Sequence, residues 1–287
     1  MQQKARCNRT PPFLCAAKEG LSLQQWLSPG ERWEPLSKEI SVIVSPQHTF
    51  NTDTLLLAWF AAPRRKDRCA DLGTGCGTIP LVWHSRFQPA HVYAVELQED
   101  AASQAVRSVQ AQGLADCITV LQRDLRELAR KNNALPLGSL DVVACNPPYQ
   151  EAGTGISNRD GSRRIARHGE TCTMEDVCQT AGALLQYGGR FCLCQRPQQM
   201  VGAMAAMRGA GIEPKRLRLV QQRPGKAPSL FLLEGKKGAK PGLVVEPVLL
   251  VEGEGGGFSQ EMQEMYGEYK THGKTGIPYA PGQEGQP

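Results

Sequence analysis

Hydrophobic positions along the middle of the chain switch between two periods. Short strand-like runs occur at Arg68–Asp71, His91–Glu96, Ile118–Leu121 and Leu140–Cys145. They are too short for helices and are bounded by Gly, Pro or acidic residues, so they read as buried strands. Between them lie helical stretches, Gly77–Arg86 and Gln98–Gln112, with a short one at Leu125–Lys131. In the second, small apolar residues recur as Ala101, Ala105, Val109 and as Ala102, Val106, and Gly113 stops it. Upstream, Asp53–Ala62 predicts a helix with Thr52 or Asn51 as N-cap and Pro63 just past its end. Ile40–Val44 predicts a short strand, and Pro11-Pro12, Pro29-Gly30 and Pro35 leave the first forty or so residues irregular. Downstream, Met174, Val177, Ala181 and Leu184 give one apolar helix face, with Thr173 as its cap. A strand at Arg190–Cys194, a helix at Pro197–Arg208 and strands at Leu217–Val220, Leu230–Leu233 and Val244–Leu250 follow. The Gly- and Pro-rich end holds one short helix, Ser259–Tyr266, and its last twenty residues are expected to be loosely ordered.

Alternating strands and helices predict an α/β fold: a doubly wound, mostly parallel sheet of seven strands. The late strands have too few residues between them for parallel crossovers, so the sheet is expected to end in an antiparallel hairpin. The organisation expected is an irregular extension at 1–44, one catalytic domain at 45–252 and a tail at 253–287.

Composition narrows this picture. The chain has 287 residues, 40% of them hydrophobic, and no run long enough to span a membrane. No continuous apolar leader follows Met1, so a cytoplasmic protein is expected. None of the ten cysteines forms a Cys-x-x-Cys pair and no His stands at zinc-ligand spacing from two of them, so reduced packing thiols are expected and no metal. The net charge of +5 is uneven. From Glu151 to Lys240, 15 Lys and Arg stand against 7 Asp and Glu, whereas from Pro241 onward 2 stand against 7. A basic middle suits a polyanionic partner.

Two motifs carry chemistry. The first is Asp71-Leu72-Gly73-Thr74-Gly75-Cys76-Gly77, a glycine turn closing a strand. Such a turn lets a ligand approach the backbone at the carboxyl end of the sheet. Thr78 departs from the dinucleotide pattern Gly-x-Gly-x-x-Gly, and a carboxylate directly before the glycines suits a cationic ammonium better than a pyrophosphate. Glu96 ends the next strand, where a carboxylate can accept from both ribose hydroxyls, and Asp124 ends the third, as an acceptor for an adenine amino group or as a helix cap.

The second motif is Asn146-Pro147-Pro148-Tyr149, directly after the strand Leu140–Cys145. The lone pair of an amine on an aromatic ring or amide is delocalised. Its nucleophilicity rises when both N–H groups donate to fixed acceptors. The side-chain oxygen of Asn146 and the carbonyl of Pro147 are candidates for that role, two prolines stiffen the backbone, and Tyr149 can stack on a flipped base. Methyl transfer then needs mainly positioning for in-line displacement.

The set Asp71 to Gly77, Glu96, Asp124 and Asn146 to Tyr149 resembles an amino-group methyltransferase of the class I, S-adenosylmethionine-dependent type. Phe50-x-x-Asp53-x-Leu-Leu-Leu-Ala58, Tyr149-Gln-Glu-Ala-Gly153, Ala166-Arg-His-Gly-Glu170, Leu232 to Gly238, Val245 to Leu249 and Phe258 to Tyr266 resemble, more narrowly, the bacterial tRNA1(Val) adenine-37 N6-methyltransferases. The resemblance runs from about Ser45 to Tyr266, and the first forty residues match nothing in it. It implies S-adenosylmethionine as cofactor, held by Asp71, Gly73, Thr74, Gly75, Gly77, Glu96, Leu97, Asp124 and Leu125, with Phe50 and Asp53 closing over it. It implies Asn146, Pro147, Pro148 and Tyr149 around the target adenine of a tRNA anticodon loop.

The segment behind the motif, Gln150–Glu170, holds Arg159, Arg163, Arg164, Arg167 and His168 among glycines. It is expected to clamp RNA phosphates, with Lys236 and Lys237 extending the surface. A monomer is expected. Alternatives remain: a protein glutamine N5-methyltransferase, which also uses Asn-Pro-Pro-Tyr but carries a helical domain ahead of the core; an rRNA guanine-N2 methyltransferase; and a non-catalytic RNA-binding module that kept the fold.

Overall fold

The computed structural model describes residues 23–130, 135–147, 172–254 and 256–266. A 3-10 turn at Leu23–Trp26 leads into an antiparallel hairpin of β1 (Arg32–Pro35) and β2 (Ser41–Val44), and helix α1 (Thr52–Ala61) follows. The alternating core is β3 (Arg68–Leu72), α2 (Thr78–Arg86), β4 (His91–Glu96), α3 (Glu99–Ala111), β5 (Ile118–Gln122), a 3-10 turn at Leu125–Ala129 and β6 (Leu140–Cys145). After it come α4 (Met174–Leu184), β7 (Leu185–Gln195), a 3-10 turn at Pro197–Gln199, α5 (Met200–Gly209), β8 (Ile212–Gln221), β9 (Leu230–Lys237), β10 (Val244–Val245), β11 (Leu249–Leu250) and α6 (Gln260–Tyr266).

The strands order as β10-β8-β9-β7-β6-β3-β4-β5, with β11 also on β8. β3 to β7 pair in parallel, and β9 runs antiparallel to both β7 and β8. This is the expected doubly wound sheet with its antiparallel hairpin. It has nine strands rather than seven, because two-residue β10 and β11 extend the edge. They replace the single strand expected at Val244–Leu250, since Pro247 offers no N–H to continue a ladder. The strand expected from Arg190 begins at Leu185, and the register shift between Leu140 and Val142 sets the four residues 186–189, Gly188 and Gly189 among them, opposite Asp141 alone.

Both sheet faces are covered, so side chains alternate between two apolar cores. On β6 and β7, Val142, Ala144, Cys192 and Cys194 face the core shared with α1, α2 and α6, and Val143, Cys145, Phe191 and Leu193 face the one shared with α4 and α5. The strand expected at Ile40–Val44 is β2, and the irregular backbone expected over the first forty or so residues does not extend over its partner, Arg32–Pro35. That hairpin is held by hydrogen bonds no local pattern announces: Gln112 brackets Ser41, accepting from its N at 2.8 Å and donating to its carbonyl at 2.9 Å, and Ser108 Oγ accepts from Ile43 N at 2.9 Å. Leu36, Ile40, Val42 and Val44 enter the core.

Among the described residues seven cysteines are free, and of these only Cys172 is exposed.

Candidate active site

β3 lies where the chain's crossovers change direction, with β4 on one side and β6 on the other. Doubly wound sheets bind ligands at the carboxyl ends of the strands at such a point. Register aligns the three strand ends. Leu72 pairs with Val95 and with Cys145, so Gly73, Glu96 and Asn146 leave the sheet at one level.

The glycine turn is shaped by that exit. The amides of Gly73 and Thr74 both donate to the carbonyl of Val95, at 2.9 Å each. Gly77 stands at φ 91°, and a Cβ there would lie 3.1 Å from that of Ala105, so both conformation and the packing of α3 demand glycine. Glu96 is buried and stabilises the turn, its Oε2 accepting from Gly75 N at 2.8 Å and its Oε1 from Gln98 N at 2.8 Å. Leu97, beside it, is an apolar side chain left 52% exposed.

Asp71 is 1% exposed. One carboxylate oxygen accepts from Thr74 Oγ1 at 2.6 Å, and the other, Oδ1, has no hydrogen-bond partner. Burial pushes its pKa up to about 7, against the pull of the Thr74 hydroxyl and with a further push from Glu96. A buried carboxylate with an orphan oxygen is costly, and a cation placed against it removes that cost.

Asp124 caps the turn Leu125–Ala129 by accepting from Arg126 N at 2.9 Å. It is also gripped by the Arg126 guanidinium at 2.6 Å, which holds its carboxyl below the usual range. Of the two roles expected for Asp124, the structure shows the cap, with the Arg126 guanidinium engaging both carboxylate oxygens. Leu125 packs half-buried against the α4 side core.

Helix α1 packs against β6, β7 and β9. Asn51 is its N-cap, settling the choice between Asn51 and Thr52, and Asp53 and Phe50 are both buried. From its first turn Thr54 Oγ1 accepts from Asn146 Nδ2 at 3.2 Å, and from β7 the Cys194 thiol reaches Asn146 Oδ1 at 3.3 Å. Neither Thr54 nor Cys194 carried a sequence signal, because both contacts depend on α1 and β7 flanking the end of β6.

The structure brings Asp71, the glycines, Glu96, Asn146 and Pro147 to one end of the sheet. Pro148, Tyr149 and the segment with Arg159, Arg163, Arg164, Arg167 and His168 lie outside the described residues. Lys236 and Lys237 are not brought to this cleft. Lys236 pairs with Arg190 while Leu193 pairs with Cys145, so antiparallel β9 carries both lysines roughly 13 Å back toward the amino end of β6. Lys237 Nζ donates to the carbonyl of Leu185 at 2.8 Å. Among the described residues no His, Cys, Asp and Glu cluster is arranged to hold a metal ion, and no helix is long and apolar enough to cross a membrane.

Known proteins resemble this chain. The model of the methyltransferase small domain matches residues 44–207. The tRNA1(Val) (adenine(37)-N6)-methyltransferase of Bacteroides thetaiotaomicron is 29% identical over 225 residues, 77% of this chain and 90% of that protein. Its namesake from Pedobacter heparinus is 30% identical over 164 residues, 56% of this chain and 67% of that one. Among solved structures, a predicted O-methyltransferase from Agrobacterium tumefaciens superposes with a TM-score of 0.62 at 26% identity, covering 76% of this chain and 97% of its own. A family match that spans more than half of the chain and takes in the glycine turn, both carboxylate-bearing strand ends and Asn146 places the protein in the methyltransferase small domain family.

Proposed function

We propose that the protein transfers a methyl group to the exocyclic N6 amine of an adenine in tRNA, at position 37 of the anticodon loop of tRNA1(Val). The observation that carries this reading is Asn146, held by its amide at the carboxyl end of β6 and level with the glycine turn. The names of the relatives supply the substrate.

S-adenosylmethionine is the methyl donor and supplies a methyl group on a positively charged sulfur. The buried orphan oxygen of Asp71 fits its ammonium, and Glu96 fits its ribose hydroxyls. Asp124, Leu97 and Leu125 would frame the adenine of the donor, and Phe50 and Asp53 would close the cleft. On the acceptor side, Asn146 Oδ1 and the Pro147 carbonyl would take the two N–H groups of the target amine, drawing its lone pair out of the ring and toward the methyl group. Tyr149 would stack on the flipped base. The product nitrogen sheds its proton readily, so no general base is required. The arginine segment Gln150–Glu170 would hold the tRNA backbone. A monomeric cytoplasmic enzyme with one catalytic domain at 45–252 completes the reading.

The glutamine-directed alternative carries a helical domain ahead of its core. Here the described residues before α1 form one 3-10 turn and a β-hairpin. The test is nucleoside mass spectrometry of tRNA incubated with the full chain and labelled S-adenosylmethionine. Labelled N6-methyladenosine, lost when adenine 37 of a tRNA1(Val) transcript is replaced, is expected. Label in N2-methylguanosine, or in protein glutamine alone, would sink the proposal.

A further inference from the structure

Resting on the reading of Asn146 as the group that holds the amine, we infer that Thr54 is a positioning residue that sets the direction of the Asn146 amide. The two ends of an amide are opposite in character, Oδ1 accepting and Nδ2 donating. An amine about to be methylated needs an acceptor. A reversed amide would set N–H against N–H and leave the lone pair of the amine in its ring.

Three side chains define the direction. Asn146 Nδ2 donates to Thr54 Oγ1 at 3.2 Å, across 92 residues of sequence. Thr54 Oγ1 spends its single proton on Asn51 Oδ1 at 3.2 Å, so it faces Asn146 with lone pairs only. Asn51 is fixed in turn as the N-cap of α1, its Oδ1 also accepting from Thr54 N at 3.2 Å. The cap therefore orients the hydroxyl, and the hydroxyl orients the amide. On the far side Oδ1 meets the fully buried Cys194 thiol at 3.3 Å. A thiol is a weak donor and a weaker acceptor, so it tolerates the oxygen there and competes little with an incoming amine. Reversal would place an oxygen against lone pairs on one side and N–H groups against sulfur on the other.

The hydroxyl also has a fixed place to act from. The opposite end of α1 is anchored by Arg190, which donates to the carbonyl of Ala61 at 2.9 Å, and by Arg216, which donates to that of Phe60 at 2.6 Å. A helix that precedes the sheet thus contributes to the acceptor half of the cleft through one γ-oxygen.

The experiment compares Thr54→Val, Thr54→Ser and Asn146→Ala in the full chain, with labelled S-adenosylmethionine and a tRNA1(Val) transcript. Thr54→Val is expected to lower kcat roughly ten- to hundredfold with KM for the transcript and donor affinity changed less than about twofold, and Thr54→Ser to restore most of kcat. Wild-type kcat in Thr54→Val beside an inactive Asn146→Ala would overturn the role of Thr54 and leave that of Asn146. Serine as impaired as valine would also overturn it, because packing rather than the hydroxyl would then matter. An active Asn146→Ala would remove the underlying reading. Thr54→Ala carries the same expectations should the valine variant fail to fold.

Discussion

Arg216 lies 4.0 Å from the ring centroid of Phe60 and donates to that residue's own carbonyl at 2.6 Å. Glu234 holds it from β9 at 2.9 Å and takes Arg190 at 2.8 Å with the same oxygen. One carboxylate thus fixes two guanidinium groups on the last carbonyls of α1, where the helix dipole is negative. Replacing Arg216 by Met keeps much of the stem but loses the cap and two ion pairs, with Glu234 and Glu246. The expected cost is about 1–3 kcal/mol, read as a lower denaturation midpoint at unchanged slope. Unchanged stability would show that Arg190 alone holds the helix end.

With Asp71 as the proposed partner of the donor's ammonium, donor binding is expected to depend on pH. With its pKa near 7 in the free protein, the carboxyl is mostly neutral at pH 6 and mostly charged at pH 8. The charged form attracts the ammonium, so binding below pH 7 must expel a proton. The ratio of wild-type to Asp71→Asn affinity, which cancels the titration of the ligand itself, is expected to rise by about tenfold between pH 6 and 8. A flat ratio in calorimetry would mean that Asp71 does not face the cation. Stability of the free protein follows the opposite sign. The folded state binds more protons than the unfolded between the ordinary value of 3.8 and 7, so this group costs stability as pH rises through that window.

Glu31 behaves in reverse. Hydrogen bonds from Arg107 at 2.6 and 2.7 Å pull its pKa from 4.5 down to about 2. Its contribution is present above pH 4.5 and is lost as pH falls toward 2. Arg107→Met should flatten that acid-side loss in denaturation midpoints measured between pH 5 and 2.5. An unaltered acid profile would separate this ion pair from folding.

The arginine segment is proposed to bear on RNA rather than on the donor. Arg163→Ala with Arg164→Ala is expected to weaken tRNA binding and to reduce the slope of log affinity against log salt by about two, with donor affinity unchanged. A slope equal to wild type would remove these residues from the interface.

Much of this was legible in the chain. The strands His91–Glu96 and Leu140–Cys145 are found where hydrophobic periodicity puts them, because a strand buried on both faces must be apolar throughout. The Asn51 cap and the capping box of Thr173 with Asp176 obey local chemistry. Errors fell where tertiary contacts override local preference. The strand at 32–35 looked irregular because its pairing rests on β2, which Gln112 and Ser108, far along the chain, hold in place. The distance of Lys236 and Lys237 from the glycine turn was likewise not legible, because sequence order says nothing of the direction in which β9 runs.

The sequence by itself determined the alternating elements, the acidic ends of β3 and β4, and the order of the glycine turn and Asn146, because each rests on residues adjacent along the chain. Only the tertiary structure decided what those residues face. Burial leaves Asp71 with an orphan oxygen, and the packing of α1 over the end of β6 puts Thr54 against Asn146. Solvation and side-chain contact depend on which elements meet in space, which a linear pattern does not contain.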